Sequence, residues 1–218
     1  LLLTDAGIEA RRSAAAGGLR PLADSLAADL APYLGREPFV PKEKARLTRA
    51  GGRCPDDGAA LEFDPRSPRA HRCPRCRRTF EGEAHYRSWI YWYQLWLAER
   101  AVHAAALHLL RREPGCAQFA DAVLARYAEL YLGYANRDNV LGPTRPFFST
   151  YLESIWMLQL AVALDLREVA GDCARSLSGA VRERIVVPSA ELIASYDEGT
   201  SNRQVWNDAA LLAASRLI

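Results

Sequence analysis

The chain has 218 residues, half of them hydrophobic, ample for a domain with its own core. Its formal charge of +2 is too small to mark the whole chain as a polyanion binder. No charge-free apolar run of about 18 residues occurs, which excludes a transmembrane helix, and Leu1-Leu2-Leu3 is too short and lacks the basic flank of a signal peptide.

Residues 1–50 read as helical and Ala-rich. Gly17-Gly18 interrupts the pattern, and Pro21 is placed to open a second helix. Leu22, Leu26 and Leu30 follow at helical spacing, Pro32 ends that helix, and Pro38 and Pro41 keep the next stretch extended.

Residues 51–84 change character, being rich in Gly, Pro, Cys and Arg. Between Lys42 and Arg87 there are twelve Lys/Arg against seven Asp/Glu, so the rest of the chain is slightly acidic. Such a segment attracts polyanions or is a solvated Arg-rich surface. Cys54-Pro55-Asp56-Asp57-Gly58 precedes Cys73-Pro74-Arg75-Cys76-Arg77. Two Cys-x-x-Cys knuckles would mark a structural zinc site, but Asp57 stands where the first knuckle would place its second thiolate. Cys54, Cys73 and Cys76 supply three thiolates, with Asp57 or His71 as the fourth ligand. A metal-free loop of the same shape is the alternative, or a Cys54–Cys73 or Cys54–Cys76 disulfide in an exported protein. Cys116 and Cys173 sit singly on helical patterns and read as small buried hydrophobes.

Residues 85–218 form the third region, with helices predicted to begin near Ser88, Cys116, Phe147, Cys173 and Asn202. Their even recurrence suggests stacked helical hairpins. The first carries Trp89, Trp92, Tyr93 and Trp96 on one face, extended by Arg100 and His103. Sugar rings stack on such faces, and Arg100 beside Trp96 suits a uronate or sulfate; a core stripe is the commoner use of the pattern. The helix from Ser149 to Leu166 is apolar on most sides, so it is expected to be buried, and its Glu153 needs a partner such as Arg145.

The most informative stretch is Asp197-Glu198-Gly199-Thr200-Ser201-Asn202-Arg203-Gln204-Val205-Trp206-Asn207-Asp208. Ser201 with Gln204 three positions later makes a capping box, which puts Asn202 in the first turn of the final helix. Free N–H groups and the positive end of the helix dipole attract anions there. Trp206 lies one turn further on the same face.

Taken with Asn136-Arg137-Asp138-Asn139-Val140-Leu141-Gly142-Pro143-Thr144-Arg145 and Phe148-Ser149-Thr150-Tyr151-Leu152-Glu153-Ser154-Ile155-Trp156, this stretch resembles the helical domain of the heparinase II/III-like polysaccharide lyases. The similarity runs from about Cys54 to the end and rests on pattern and order. It implies an all-α fold, an α/α toroid incomplete in this chain, here with a small Cys-containing zinc-ribbon-like insert. Periodicity alone fits an α-solenoid equally. The resemblance also implies export, a longer protein of which this is the N-terminal helical part, and Asn202 as the amide that neutralises a uronate carboxylate. The family's catalytic Tyr and His fall beyond these residues, so the chain is expected to be catalytically incomplete.

The expected function is therefore β-elimination of uronic-acid-containing glycans. An acidic polysaccharide or oligosaccharide is the expected partner, with no membrane and no organic cofactor. Candidate sugar contacts are Arg145, Tyr151, Tyr196, Trp206, Asn207, Trp96 and Arg100. Two alternatives stand beside it. An inverting glycoside hydrolase would need two opposed carboxylic acids, for which Glu153, Asp197 and Glu198 are the supply. A non-catalytic scaffold would bind glycan, or nucleic acid through its basic segment, although the latter leaves Asn202 unexplained.

Overall fold

The structure is a computed structural model and describes residues 4–48 and 50–218. It is mostly helical, as expected. Thr4 caps α1 (Asp5–Ala16) by accepting from the Gly7 N–H at 3.1 Å. Pro21 lies in the first turn of α2 (Arg20–Leu30), and Pro32 falls in the short 3-10 turn that closes it. After a turn at 34–36, residues 37–48 run as a strap without helix or strand, consistent with the φ restriction of Pro38 and Pro41. Tyr93 holds the strap by donating to the Phe39 carbonyl at 3.0 Å, and Tyr134 donates to the carbonyl of Pro41.

The insert contains an antiparallel hairpin of β1 (Ala70–Arg72) and β2 (Thr79–Glu81). It adjoins the first turn of α3 (Glu83–Arg111) closely: a Cβ on Gly51 would stand 1.8 Å from the Ala84 carbonyl oxygen. Trp89 also reaches it, donating from Nε1 to the Asp64 carbonyl at 2.9 Å.

The remaining elements are α4 (Cys116–Leu130), α5 (Thr150–Val169), α6 (Arg175–Val181), α7 (Val187–Ala194) and α8 (Asn202–Leu217). A π-helical turn over Arg182–Val186 joins α6 to α7. Pro188 explains it, because its ring has no N–H and clashes with the carbonyl four residues back, so the chain widens just ahead of it. The helices pack in two rows. In one row α5 lies between α3 and α8; in the other, α4 meets α6 and α7 packs beneath α5 and α8. With α6 and α7 taken as one helix bent at the π-helical turn, the helices from α3 to α8 alternate between the rows.

The core lies between the rows. Trp156 of α5 is fully buried, stacked on Tyr131 at 5.6 Å and edge-on to Tyr127 at 5.0 Å. Leu160, Leu164, Val123 and Leu124 belong to the same buried cluster, each burial contributing roughly 1.5–3 kcal/mol. Two ionisable side chains penetrate it, Glu153 and Arg167. Arg167 is 1% exposed and clamps Asp121 at 2.7 and 3.0 Å and Asp172 at 2.6 Å, which raises its already high pKa.

Candidate functional site

Two places carry chemistry. The first is the pair of knuckles in the insert. Each is a tight turn closed the same way. The Cys54 N–H donates to the Ala59 carbonyl at 2.8 Å and the Gly58 N–H to Cys54; the Cys73 N–H donates to Arg78 at 2.9 Å and the Arg77 N–H to Cys73. Gly58 and Arg77 both adopt positive φ, 71° and 65°. Backbone repetition of this kind turns both cysteines inward. The donor atoms of Cys54, Asp57, Cys73 and Cys76 all lie within 4.8 Å of one another, a group that could hold a metal ion. Cys54 Sγ and Cys76 Sγ are 3.7 Å apart, and Cys73 Sγ stands 3.4 Å from an Asp57 oxygen. All five cysteines of the chain are free thiols.

The donors are tuned differently. Burial pushes the Cys54 thiol up to about 11. The Arg78 backbone N–H lowers Cys76, and the Ala59 N–H lowers Asp57. His71 is not a member of the group, contrary to its candidacy. Its Nε2 sits 3.2 Å from the His85 carbonyl and its ring stacks on the His85 imidazole, so it secures β1 against α3. A strand residue beside a knuckle looks like a ligand in one dimension, and only the docking of the hairpin shows which way the ring turns.

The second place is the mouth of α8. Ser201 is the N-cap, with its Oγ 3.3 Å from the Gln204 N–H, so half of the expected capping box forms. Gln204 does not reciprocate; its Oε1 accepts from the Glu198 N–H at 2.9 Å, and its amide donates to Asp208. Asn202 is the first helical residue and is exposed, and its amide engages no protein group among the described residues. Trp206 follows one turn later and is 43% exposed. Glu198 pairs with Arg203 at 2.9 Å and is almost wholly buried, leaving its Oε1 without a partner.

Three stretches far apart in sequence meet here. Tyr196 packs on Gly142 so tightly that a Cβ there would fall 2.4 Å from its ring, and Gly142 also needs its φ of +67°. Asn207 is fully buried, with Oδ1 2.7 Å from Ser154 Oγ. It ties α8 to α5 and is not a cleft residue. Tyr151 is half-buried on the first turn of α5.

The loop 135–145 is organised from within. Lys44 of the strap donates to the carbonyls of Ala135, Arg137 and Thr144 at 2.8–3.0 Å and to the Asn139 side chain. Burial lowers its pKa to about 8. Asn136 Oδ1 accepts from the Thr144 N–H at 3.0 Å. Arg145 donates from Nη1 to the Leu132 and Tyr134 carbonyls at 3.2 and 3.0 Å, while its Nε is buried without a partner. Glu153 accepts from the backbone N–H of Arg145, at 2.8 Å, and from the Tyr131 and Ser189 hydroxyls. Arg145 therefore does not pair with Glu153 through its side chain, and main-chain carbonyls hold its Nη1.

The aromatic stripe divides. Trp89 and Tyr93 are buried beneath the strap, Trp92 is exposed, and Trp96 is half-buried beside Tyr33 at 4.9 Å. Arg100 lies over Trp96 at 5.8 Å and pairs with Glu99 at 2.5 Å. The Lys44 hub and the unpartnered Glu198 oxygen escape sequence reasoning. The partners of Lys44 are set by tertiary contact, Asn139 lying 95 residues away. No family model matches the chain, and a search of curated proteins finds no match.

Proposed function

We propose that this chain is the N-terminal helical part of a polysaccharide lyase that cleaves uronic-acid-containing glycans by β-elimination, with a structural zinc ion in the insert. The observation that carries the catalytic reading is the free, exposed amide of Asn202 at a capped helix N-terminus, one helical turn before the exposed Trp206. Ser201 already satisfies the helix end, so Asn202 is not needed as a cap.

The C5 proton of a uronate is weakly acidic while the neighbouring carboxylate is charged. An amide donor, reinforced by the N–H groups of the first turn, disperses that charge and stabilises the carbanion-like state that forms as the proton leaves. A base takes the C5 proton, the C4–O4 bond breaks, and an acid protonates the departing O4, leaving a C4–C5 double bond. By the resemblance, a Tyr and a His beyond these residues perform the proton transfers. The toroid this requires would continue the two alternating rows.

The hydrolase alternative is weaker. Glu153 is sealed in the core, Asp197 accepts from the Gly199 N–H at 2.7 Å, and Glu198 is paired with Arg203. No two of them flank an open cleft. The nucleic-acid alternative loses part of its charge, because Arg66, Arg69 and Arg78 are paired with Asp64, Glu83 and Asp56.

Zinc suits the knuckles because four-coordinate zinc with bonds of about 2.3 Å sets sulfur–sulfur separations near ~3.8 Å, and Cys54 and Cys76 stand at 3.7 Å. Cys54, Cys73, Cys76 and Asp57 would hold it, in a closed set suited to a structural role.

The test is ultraviolet absorbance of the new unsaturated sugar when the complete protein meets a uronate polymer. Asn202→Ala should lower turnover about a hundredfold or more, the loss seen when a charge-stabilising amide is removed, with unchanged circular dichroism. Undiminished turnover would remove Asn202 from the mechanism, and reducing ends without absorbance would mean hydrolysis.

A further inference from the structure

Along the strap three cavities run into one another. The first, about 170 Å³, is lined by Tyr33, Arg36, Phe39 and Trp96. It shares Phe39 with a second of about 440 Å³, which reaches Lys42 and Tyr86. A third of about 450 Å³ shares Lys42 and Tyr86 and extends to Arg137. Together they make a groove between the strap, α3 and the loop 135–145. Asn202 lines none of the three.

Rings and cations alternate along this groove. Phe39 is 55% exposed over the buried Trp89–Tyr93 pair, and Trp96 stands at one end. Arg36, Lys42 and Arg137 are exposed, and their charged ends engage no protein group among the described residues. The other cations are already used: Arg46 pairs with Asp138 at 3.1 Å, Arg69 and Arg87 with Glu83, and Lys44 with carbonyls. The free cations are thus sparse and spaced by ring faces, and two carboxylates also line the groove, Glu37 and Glu43, the latter accepting from the Tyr86 hydroxyl at 3.2 Å.

We infer that this groove binds an extended acidic oligosaccharide as an accessory subsite, its carboxylates or sulfates on Arg36, Lys42 and Arg137 and a sugar face on Phe39. Interspersed carboxylates accept from sugar hydroxyls, whereas a continuous phosphate backbone would meet them as repulsion. Lys44 connects the groove to the proposed reaction site, because the loop it fastens borders the groove at Arg137 and bears Gly142 beneath Tyr196. The inference rests on the acidic-glycan reading of the protein.

The probe is a saturated uronate hexasaccharide, titrated calorimetrically into the complete protein at two salt concentrations. The triple variant Arg36→Ala/Lys42→Ala/Arg137→Ala breaks no ion pair and should fold normally. Each lost charge-assisted contact should weaken binding about tenfold, with a shallower salt dependence. Phe39→Ala should weaken it at fixed salt slope, and Arg175→Ala, on the exposed start of α6, should change nothing. Undiminished hexasaccharide binding by the triple variant overturns the inference, as does tighter binding of a single-stranded oligonucleotide than of the hexasaccharide. The elimination reading fails separately. If the groove binds as expected and no unsaturated product forms, the subsite stands and the lyase does not.

Discussion

Four donor atoms converge between Cys54 and Cys76 on two small turns, where few apolar side chains are buried beside them. Between Tyr127 and Trp156 apolar packing dominates: Tyr127, Tyr131, Phe147 and Trp156 pack ring against ring, and the one carboxylate among them, Glu153, is held by hydroxyls and a backbone N–H. The insert has too little apolar surface to balance the entropy of ordering its backbone, while the helical rows have enough. On the zinc proposal one region would depend on a ligand for its order and the other on buried area, although Gly51, Trp89 and His71 join them physically.

Metal removal should separate them most sharply. Chelation, or Cys73→Ser, should release one ion per chain and abolish amide protection across residues 53–78, since structural zinc contributes on the order of 10 kcal/mol in isolated small domains. Hydrogen exchange in α5 and α8 should stay slow. A protein that purifies without metal and keeps protection across residues 53–78 would show that backbone turns alone hold the insert. Next in size, Trp156→Ala should cost the helical rows about 3–5 kcal/mol in urea unfolding, through a cavity its stacked neighbours cannot fill. Metal content should not change. Loss of the ion in this variant would mean that the two regions fold as one unit.

The two regions were also unequally legible. The helix starts at Cys116 and Asn202 and the strap after Pro38 follow from local rules of capping and proline geometry. So does the grouping of Cys54, Asp57, Cys73 and Cys76, because ligand spacing is a short-range property. His71 belongs to the same short range, yet hairpin docking turned it away. Asn207 and Arg145 read as polar and available, but helix packing buries the first against Ser154, and nearby carbonyls occupy the second. Lys44 gave no signal, because a lysine in an extended segment has no pattern that names acceptors in a distant loop.

Glu153 offers the subtlest way to test the helical side of the comparison. Its carboxyl is wholly buried, and burial raises its pKa despite donation from Tyr131, Ser189 and the Arg145 N–H. The folded protein thus keeps this proton at a pH where the unfolded chain has released it. The stability it contributes is complete below the ordinary carboxylate range and is lost as pH rises through the raised value. Urea unfolding from about pH 5 to about pH 8 should show stability declining upward from this group. In Glu153→Gln the amide oxygen can accept from the rigid Arg145 N–H, and the Tyr131 and Ser189 hydroxyls can turn to accept from the amide nitrogen. That variant should lose the pH dependence while keeping its neutral-pH fold. A slope unchanged by the substitution would place the titration elsewhere, and would mean that the three donors hold Glu153 ionised within the core.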